Sequence, residues 1–262
     1  MSSQQSPVPR ATPLHPEKRG LIIGASSGLG AALARRLAGE GYTLALISQR
    51  KDELNGLCAR MNAEAGKTVV LPYWHDVTHH EEVPELLRRI VAELGGLDMA
   101  AYVAGVMFVP RMDEYNVQAD LLMLEVNLMG AIAWLDPIAE MFQSAGRGQI
   151  VGISSVAGDR GRVSNPAYNA SKAGLSTYLE ALRNRLTRHG VNVLTVKPGM
   201  MKTQMLEGVK NPIFPVMPEE AAEAVCKAMR ARKQQIYIGW IWRWIMLVVR
   251  NIPSVVFRRM SF

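Results

Sequence analysis

Tyr168 and Lys172 lie four positions apart in Tyr168-Asn169-Ala170-Ser171-Lys172. On a helix that spacing sets a phenol and an ammonium on one face. A phenol beside a cation gives up its proton more readily than a free one, and such a group can exchange that proton with a substrate. Upstream, the apolar run Gln149-Ile150-Val151-Gly152-Ile153 ends in two hydroxyls, Ser154 and Ser155. A phenol, an ammonium and a hydroxyl meeting beside a cofactor could move a proton. By itself the Tyr-x-x-x-Lys pair is equally an amphipathic surface pair, because both residue types are common on helices. The surrounding elements decide between the two.

Those elements are legible. Pro166 suits the first turn of a helix, and Leu175, Leu179, Leu182 and Leu186 follow at helical spacing. Gln149 to Ile153 reads as a buried strand that delivers Ser154-Ser155 to its C-terminal end. Val191 to Val196 reads as a second, stopped by Pro198-Gly199. Nearer the start, Gly20 to Ile23 is a strand running into Gly24-Ala25-Ser26-Ser27-Gly28-Leu29-Gly30, and a helix follows through Leu37. Strand, glycine turn and helix together make a phosphate site, with backbone approaching the ligand and free N–H groups at the helix start. The spacing is Gly-x-x-x-Gly-x-Gly rather than the Gly-x-Gly-x-x-Gly of many dinucleotide folds.

Tyr42 to Ile47 is a further strand, and it ends in Ser48-Gln49-Arg50-Lys51. In dinucleotide folds an acid at this place binds the ribose 2′-hydroxyl of NAD. Here a hydroxyl and two cations favour a 2′-phosphate instead, and so NADP(H), with NAD(H) not excluded. Asp52 to Ala65 reads as a helix, Thr68 to Tyr73 as a strand leading to Asp76-Val77, Val83 to Leu94 as a helix, and Leu97 to Val103 as a strand leading to Ala104-Gly105. Tyr115 to Phe142 is long and mostly helical, and Asn127 inside it sits among apolar neighbours, which points to a buried hydrogen-bonding role. Strands alternating with helices mean a doubly wound parallel α/β sheet, with ligands beyond the strands' carboxyl ends. Ser155, Asp76, Gly105 and Pro198-Gly199 all fall at such ends.

At 262 residues, with 48% hydrophobic and 20% charged residues, the chain is sized for one domain with a substantial core. The net charge of +7 carries no basic run interleaved with aromatics, so no nucleic-acid partner is expected. Cys58 and Cys226 read as core residues in a reducing compartment. His75, His79 and His80 cluster without a cysteine in a loop, and no metal site is expected. Residues 1–17 read as a mobile tail, 18–239 as the α/β domain and 240–262 as a C-terminal helical extension.

The set Gly24-x-x-x-Gly28-x-Gly30, Asp76-Val77, Ala104-Gly105, Asn127, Ser154-Ser155, Tyr168-x-x-x-Lys172 and Pro198-Gly199 resembles the short-chain dehydrogenase/reductase superfamily, over about Lys18 to Gly239. The resemblance implies a Rossmann-fold oxidoreductase with Asn127, Ser155, Tyr168 and Lys172 as its catalytic tetrad. By it, Tyr168 donates a proton to a carbonyl as hydride arrives from the nicotinamide, Lys172 lowers a phenol pKa that would otherwise stand near ~10 and grips the nicotinamide ribose, Ser155 steadies the developing charge, and Asn127 holds a water. The cofactor set it implies is Gly24, Ser26, Ser27, Gly28, Leu29, Gly30, Ser48, Arg50, Lys51, Asp76, Val77, Ala104, Gly105, Tyr168, Lys172, Pro198, Gly199 and Thr203. A homodimer or homotetramer is its default assembly. Two positions depart from the family: Tyr102-Val103 replaces an asparagine expected to steady the sheet, and Ser27 stands where NADP-preferring members often carry a cation.

Met200, Met201, Met205, Leu206, Ile213, Phe214 and Met217 follow Pro198-Gly199 and suit a bulky apolar substrate, or simply cover the core. From Trp240 onward the chain is apolar nearly all round, with Trp240, Trp242 and Trp244 close together and Arg243, Arg250, Arg258 and Arg259 among them. Tryptophans with arginines favour an interfacial helix on a membrane surface over a pocket cap or subunit contact. With Ala157 to Arg162, this end resembles bacterial reductases of polyprenyl-phosphate-linked keto-sugars. The expected protein is a cytoplasmic oxidoreductase, peripheral on the membrane and acting on a lipid-linked or amphipathic carbonyl or alcohol. A soluble reductase of small apolar ketones, steroids or keto-acyl groups is the alternative, and a non-catalytic nucleotide sensor a more distant one.

Overall fold

Short β-rich runs with no polar face can be buried only between two layers of helices, and that is the arrangement found. The computed structural model describes residues 18–109, 111, 113–203 and 213–260; the expected tail at 1–17, with Met205 and Leu206, lies outside them. The strands are β1 (Lys18–Ile23), β2 (Tyr42–Ser48), β3 (Val70–Trp74), β4 (Met99–Tyr102), β5 (Gly148–Ile153), β6 (Val191–Pro198) and β7 (Gln235–Ile238). They form one seven-stranded sheet in the order β3-β2-β1-β4-β5-β6-β7, parallel throughout. The order reverses between β1 and β4, and at that switch point the two crossovers diverge and leave a crevice.

Helices α1 (Gly28–Gly39), α2 (Lys51–Ala65) and α7 (Pro218–Arg230) cover one face; α3 (Val83–Leu94), α5 (Gly130–Ala145) and α6 (Pro166–Leu186) cover the other. Alternation along β1 shows the two-sided burial: Ile22 packs on the first layer, Leu21 and Ile23 on the second. Cys58 and Cys226 lie in the first layer as free buried thiols, and burial pushes both up to about 12.

Among the boundaries that differ from the sequence reading, two have identifiable reasons. β3 begins at Val70, not Thr68, because the Asn62 side chain accepts from the amides of Val69 and Val70 (2.8 and 2.9 Å) and ties the entry down. The long helix expected from Tyr115 starts at α4 (Val117–Leu124), capped by Asn116. It then widens into a π-turn at Glu125–Met129 before α5.

Tyr102 explains part of that widening. Its side chain is fully buried and its hydroxyl donates to the Val126 carbonyl inside the π-turn (2.6 Å). A side chain at Gly130 would meet the same hydroxyl. The sheet thus gains a hydrogen bond at the position where the sequence suggested only a loss.

After β7 the chain forms α8 (Ile241–Asn251), is turned by Pro253, and closes with α9 (Ser254–Phe257). Eleven residues at a rise of about 1.5 Å are far too short to span a bilayer.

Candidate active site

The glycine turn is dictated by close approach. Gly24 has φ +91°, and a Cβ on it would stand 2.4 Å from the amide nitrogen of Ala104; one on Gly30 would stand 2.0 Å from the Gly24 carbonyl. Only glycine lets the β1 and β4 loops close around the switch point. Gly28 opens α1, whose first turn presents free N–H groups, and Thr203 packs against it. Ser26, Ser27, Gly28 and Thr203 border an open cleft of about 300 Å³, together with Arg35, Arg60 and Lys202.

Ser48 and Arg50 reach back from β2 to this turn. The Ser48 hydroxyl bonds that of Ser26 (2.9 Å), and the Arg50 guanidinium donates to Ser26 (3.1 Å) and Ser27 (2.5 Å). Lys51 lies over the Trp74 ring, 4.2 Å from its centroid. Asp76 holds the next loop by accepting from the Thr78 amide and hydroxyl, and Val77 is buried beside it. The His75 Nε2 donates to the His79 carbonyl (3.1 Å), and its ring packs edge-on to Trp134. Among the described residues no group of histidines, cysteines and carboxylates is placed to hold a metal ion.

The reactive side chains come from β5, the π-turn and α6. Of the two serines after β5, Ser154 is committed to the helix: its hydroxyl bonds the Lys172 carbonyl (2.9 Å) and Ser176 (2.7 Å). Ser155 instead caps a short turn at Val156–Asp159, its hydroxyl accepting from the Ala157 amide (3.1 Å), and it favours the Tyr168 phenolate. Tyr168 and Lys172 sit one turn apart on α6, both buried, with the ammonium 5.8 Å from the phenol ring centroid. The Lys172 ammonium donates to the Ile153 carbonyl (3.0 Å). Burial pushes the Tyr168 phenol up, and Ser155 and the charge of Arg162 pull it back down. Burial brings Lys172 down to about 8.

Asn127 projects inward from the π-turn, fully buried. Its amide nitrogen donates to Val106 (2.9 Å) and Ser171 (3.1 Å), and its oxygen accepts from the Val106 amide (2.8 Å). It therefore pins the loop after β4. Gly105 completes the junction, since a Cβ there would approach both the Asn127 oxygen (3.1 Å) and the Lys172 nitrogen (3.3 Å).

Several residues of the site escaped the sequence reading. The turn that carries Ser155 is backed by a buried ion pair, Lys197 to Asp159 at 2.5 Å, and by a bond from the Tyr237 hydroxyl to the same carboxylate (2.8 Å). Arg160 donates to the carbonyls of Val249 (2.8 Å), Arg250 (3.1 Å) and Ile252 (2.6 Å) at the end of α8, and stacks on Phe257. Trp242 of α8 packs flat against Gly199, where a Cβ would stand 2.0 Å from the indole nitrogen. These contacts join residues 38 to 97 positions apart, and no local pattern announces them.

A parallel sheet with a glycine-lined switch point and a Tyr/Lys/Ser cluster across it defines a nucleotide-dependent oxidoreductase of the Rossmann type, and the chain belongs to the short-chain dehydrogenase family, whose model matches residues 18–212. It is 32% identical over 229 residues to an uncharacterized oxidoreductase of Mycobacterium tuberculosis (87% of this chain, 90% of that one), and 34% identical over 221 residues to one of Myxococcus xanthus (84% and 87%). Among solved structures it is similar to an actinorhodin polyketide ketoreductase variant with NADPH, at 26% identity and a TM-score of 0.76, covering 84% of this chain and 95% of that one. The resemblance to polyprenyl-linked keto-sugar reductases gains no support from these relatives.

Proposed function

We propose that the protein is an NADP(H)-dependent oxidoreductase that interconverts a carbonyl and a secondary alcohol, with Tyr168 as the group that exchanges the proton. The observation that carries this reading is the burial of Ser155, Tyr168 and Lys172 at the end of β5, with the Lys172 ammonium bonded to the Ile153 carbonyl and 5.8 Å from the phenol ring centroid. NADPH supplies the hydride. Tyr168 gives its proton to the carbonyl oxygen, Ser155 donates to that oxygen as charge develops on it, and Lys172 and Asn127 keep α6 and the β4 loop in register beneath them.

The residues present fit the cofactor. The cradle of Gly24, Gly28 and Gly30 suits a pyrophosphate, and Ser26, Ser27, Ser48 and Arg50 converge where a 2′-phosphate would lie, with Lys51 on Trp74 beside them. The NADPH complex of the related polyketide ketoreductase agrees with that preference. Leu29, Asp76, Val77, Ala104, Gly105, Pro198, Gly199 and Thr203 line the remainder of the cleft in this reading.

A membrane surface is the proposed setting, on the cytoplasmic side. α8 turns Trp242, Met246 and Val249 inward and leaves Trp240, Trp244, Leu247 and Val248 exposed, continued by Val255, Val256 and Met260. Four exposed arginines flank this patch, and no carboxylate occurs from Trp240 onward. Exposed indoles and cations without acids match an anionic lipid interface, and a lipid-linked or amphipathic substrate would be met there. Exposed Val117 and Leu121 on α4 support a homodimer or homotetramer through that face.

The direct experiment is Tyr168→Phe assayed with NADPH and a panel of ketones. Turnover should fall at least a hundredfold at neutral pH with the fold intact, whereas full activity would remove the proposed proton donor. Parallel titration with NADPH and NADH tests the cofactor, and a preference for NADH would overturn the role of Arg50. Sedimentation with anionic vesicles, lost in a Trp240→Ser/Trp244→Ser variant, tests the surface; no binding at low salt would refute it.

A further inference from the structure

The loop between the serine turn and α6 carries a cation, Arg162, to which no step of the proton transfer is assigned. Arg162 is half-buried, and its Nε is enclosed without a hydrogen-bond partner. None of the ion pairs among the described residues includes it. Its neighbour Arg160 bonds three carbonyls at the end of α8, so the two arginines of Arg160-Gly161-Arg162 have different employment.

The loop that presents Arg162 is fixed. Asn169 donates to the carbonyls of Arg162 (3.4 Å) and Ser164 (3.0 Å). Asn165, in the left-handed region at φ 57°, caps α6 by accepting from the Tyr168 amide (3.2 Å) and also donates to Phe108. Anchored on Asn169, the residue after Tyr168, the Arg162 backbone stays beside the start of α6, and the charge of Arg162 favours the Tyr168 phenolate. Lys172, the other cation here, is turned toward the Ile153 carbonyl.

A guanidinium nitrogen enclosed without an acceptor is unfavourable, and the planar fork of the group matches a carboxylate or a phosphate better than any neutral group. We propose that Arg162 is the oxyanion-recognition residue of the substrate pocket, and that the compound turned over at Tyr168 carries a carboxylate or phosphate a few bonds from its reacting carbonyl. This rests on the reading of Tyr168 as the proton-exchanging group. It adds a specificity that the proton transfer itself does not require.

The test is binding to NADP⁺-saturated protein, so that the cofactor's own phosphate sites are filled. Inorganic phosphate and acetate are titrated separately, followed by thermal shift and by amide chemical shifts of residues 160–170. One of the two should bind saturably to the wild type, and which one distinguishes a phosphate-bearing from a carboxylate-bearing substrate. Arg162→Gln should weaken that binding at least tenfold, and Arg162→Lys should fall between, because an ammonium supplies charge without the fork.

A turnover readout uses acetoacetate and its methyl ester: Arg162→Gln should raise KM for the acid at least tenfold and leave that for the ester unchanged. Equal anion binding by wild type and Arg162→Gln, or no binding of either anion to the wild type, overturns the proposal. Tyr168→Phe separates the two ideas. It should abolish turnover and keep the anion; if it stays active, the proton-donor reading fails while the anion titration still judges Arg162.

Discussion

Arg160→Ala removes the side chain that hydrogen-bonds the turn region carrying Ser155 to the end of α8, where Val156 also packs on Trp242, Met246 and Val249. Its guanidinium makes three hydrogen bonds to the last carbonyls of α8 and stacks on Phe257. A hydrogen bond involving a charged partner contributes about 1.5–3 kcal/mol where water cannot replace it. One nitrogen serves all three carbonyls, and the bond to Arg250 is exposed, so the equivalent of one to two full bonds is lost. With a small share from the stacking, the local cost is about 3 kcal/mol. That corresponds to roughly a hundredfold rise in the population of an opened α8. Amide hydrogen exchange reads this directly: Trp242 to Arg250 should exchange up to about a hundredfold faster, while β1 to β6 keep their protection. Catalytic turnover should drop with it, because the Ser155 turn loses its outer wall. Unchanged exchange in α8, or equal acceleration throughout the sheet, would show that Arg160 does not hold this joint.

Lys172→Met should abolish turnover yet leave the protein more stable than wild type at neutral pH. The folded-state pKa of Lys172 is lowered by burial from 10.5 to about 8, so between those values the unfolded chain binds more protons and wild-type stability rises with pH. The advantage of the variant, up to about 3 kcal/mol, should therefore shrink between pH 8 and 10.5 in chemical denaturation; a gap that widens there contradicts the assignment. Tyr102→Phe deletes the bond to Val126 and should cost about 1–2 kcal/mol, read as a melting point lower by a few degrees, and an unchanged Tm would dismiss that bond. Lys197→Met strands the buried Asp159 carboxylate and should cost about 3–5 kcal/mol; adding Asp159→Asn should restore part of it, and a purely additive double variant would show the pair is not coupled.

Legibility followed the range of the determinant. The glycine turn declared itself because strand, glycines and helix are contiguous, and the Tyr168/Lys172 pair because one helix carries both. The parallel sheet and the doubly wound layers followed from alternation alone. What stayed hidden depends on contacts between distant segments. Arg160 is a loop arginine until α8 is folded onto it, and Asp159 looks solvated until β6 brings Lys197 beneath it. Arg162 shows its missing counter-charge only once its surroundings are in place. Tyr102 is the instructive misreading: judged by the asparagine it replaces, it signified a lost hydrogen bond, yet its longer side chain reaches a carbonyl on another element.

The π-turn at Glu125–Met129 has a geometric consequence for the rod from α4 to α5. Each α-helical residue advances about 100°, and a wider turn accommodates one residue beyond the usual count. The two halves are consequently out of phase. Trp134, Leu135, Ile138 and Phe142 aim at the sheet, while Val117 and Leu121 look outward. Averaged hydropathy sees a uniform greasy cylinder of 29 residues; the phase slip makes it a pair of two-faced rods joined end to end, able to satisfy an interior neighbour and an exterior one at once. Deleting a single residue at the joint would rotate one stripe away from its neighbour, and Asn127 would swing out of the junction with it.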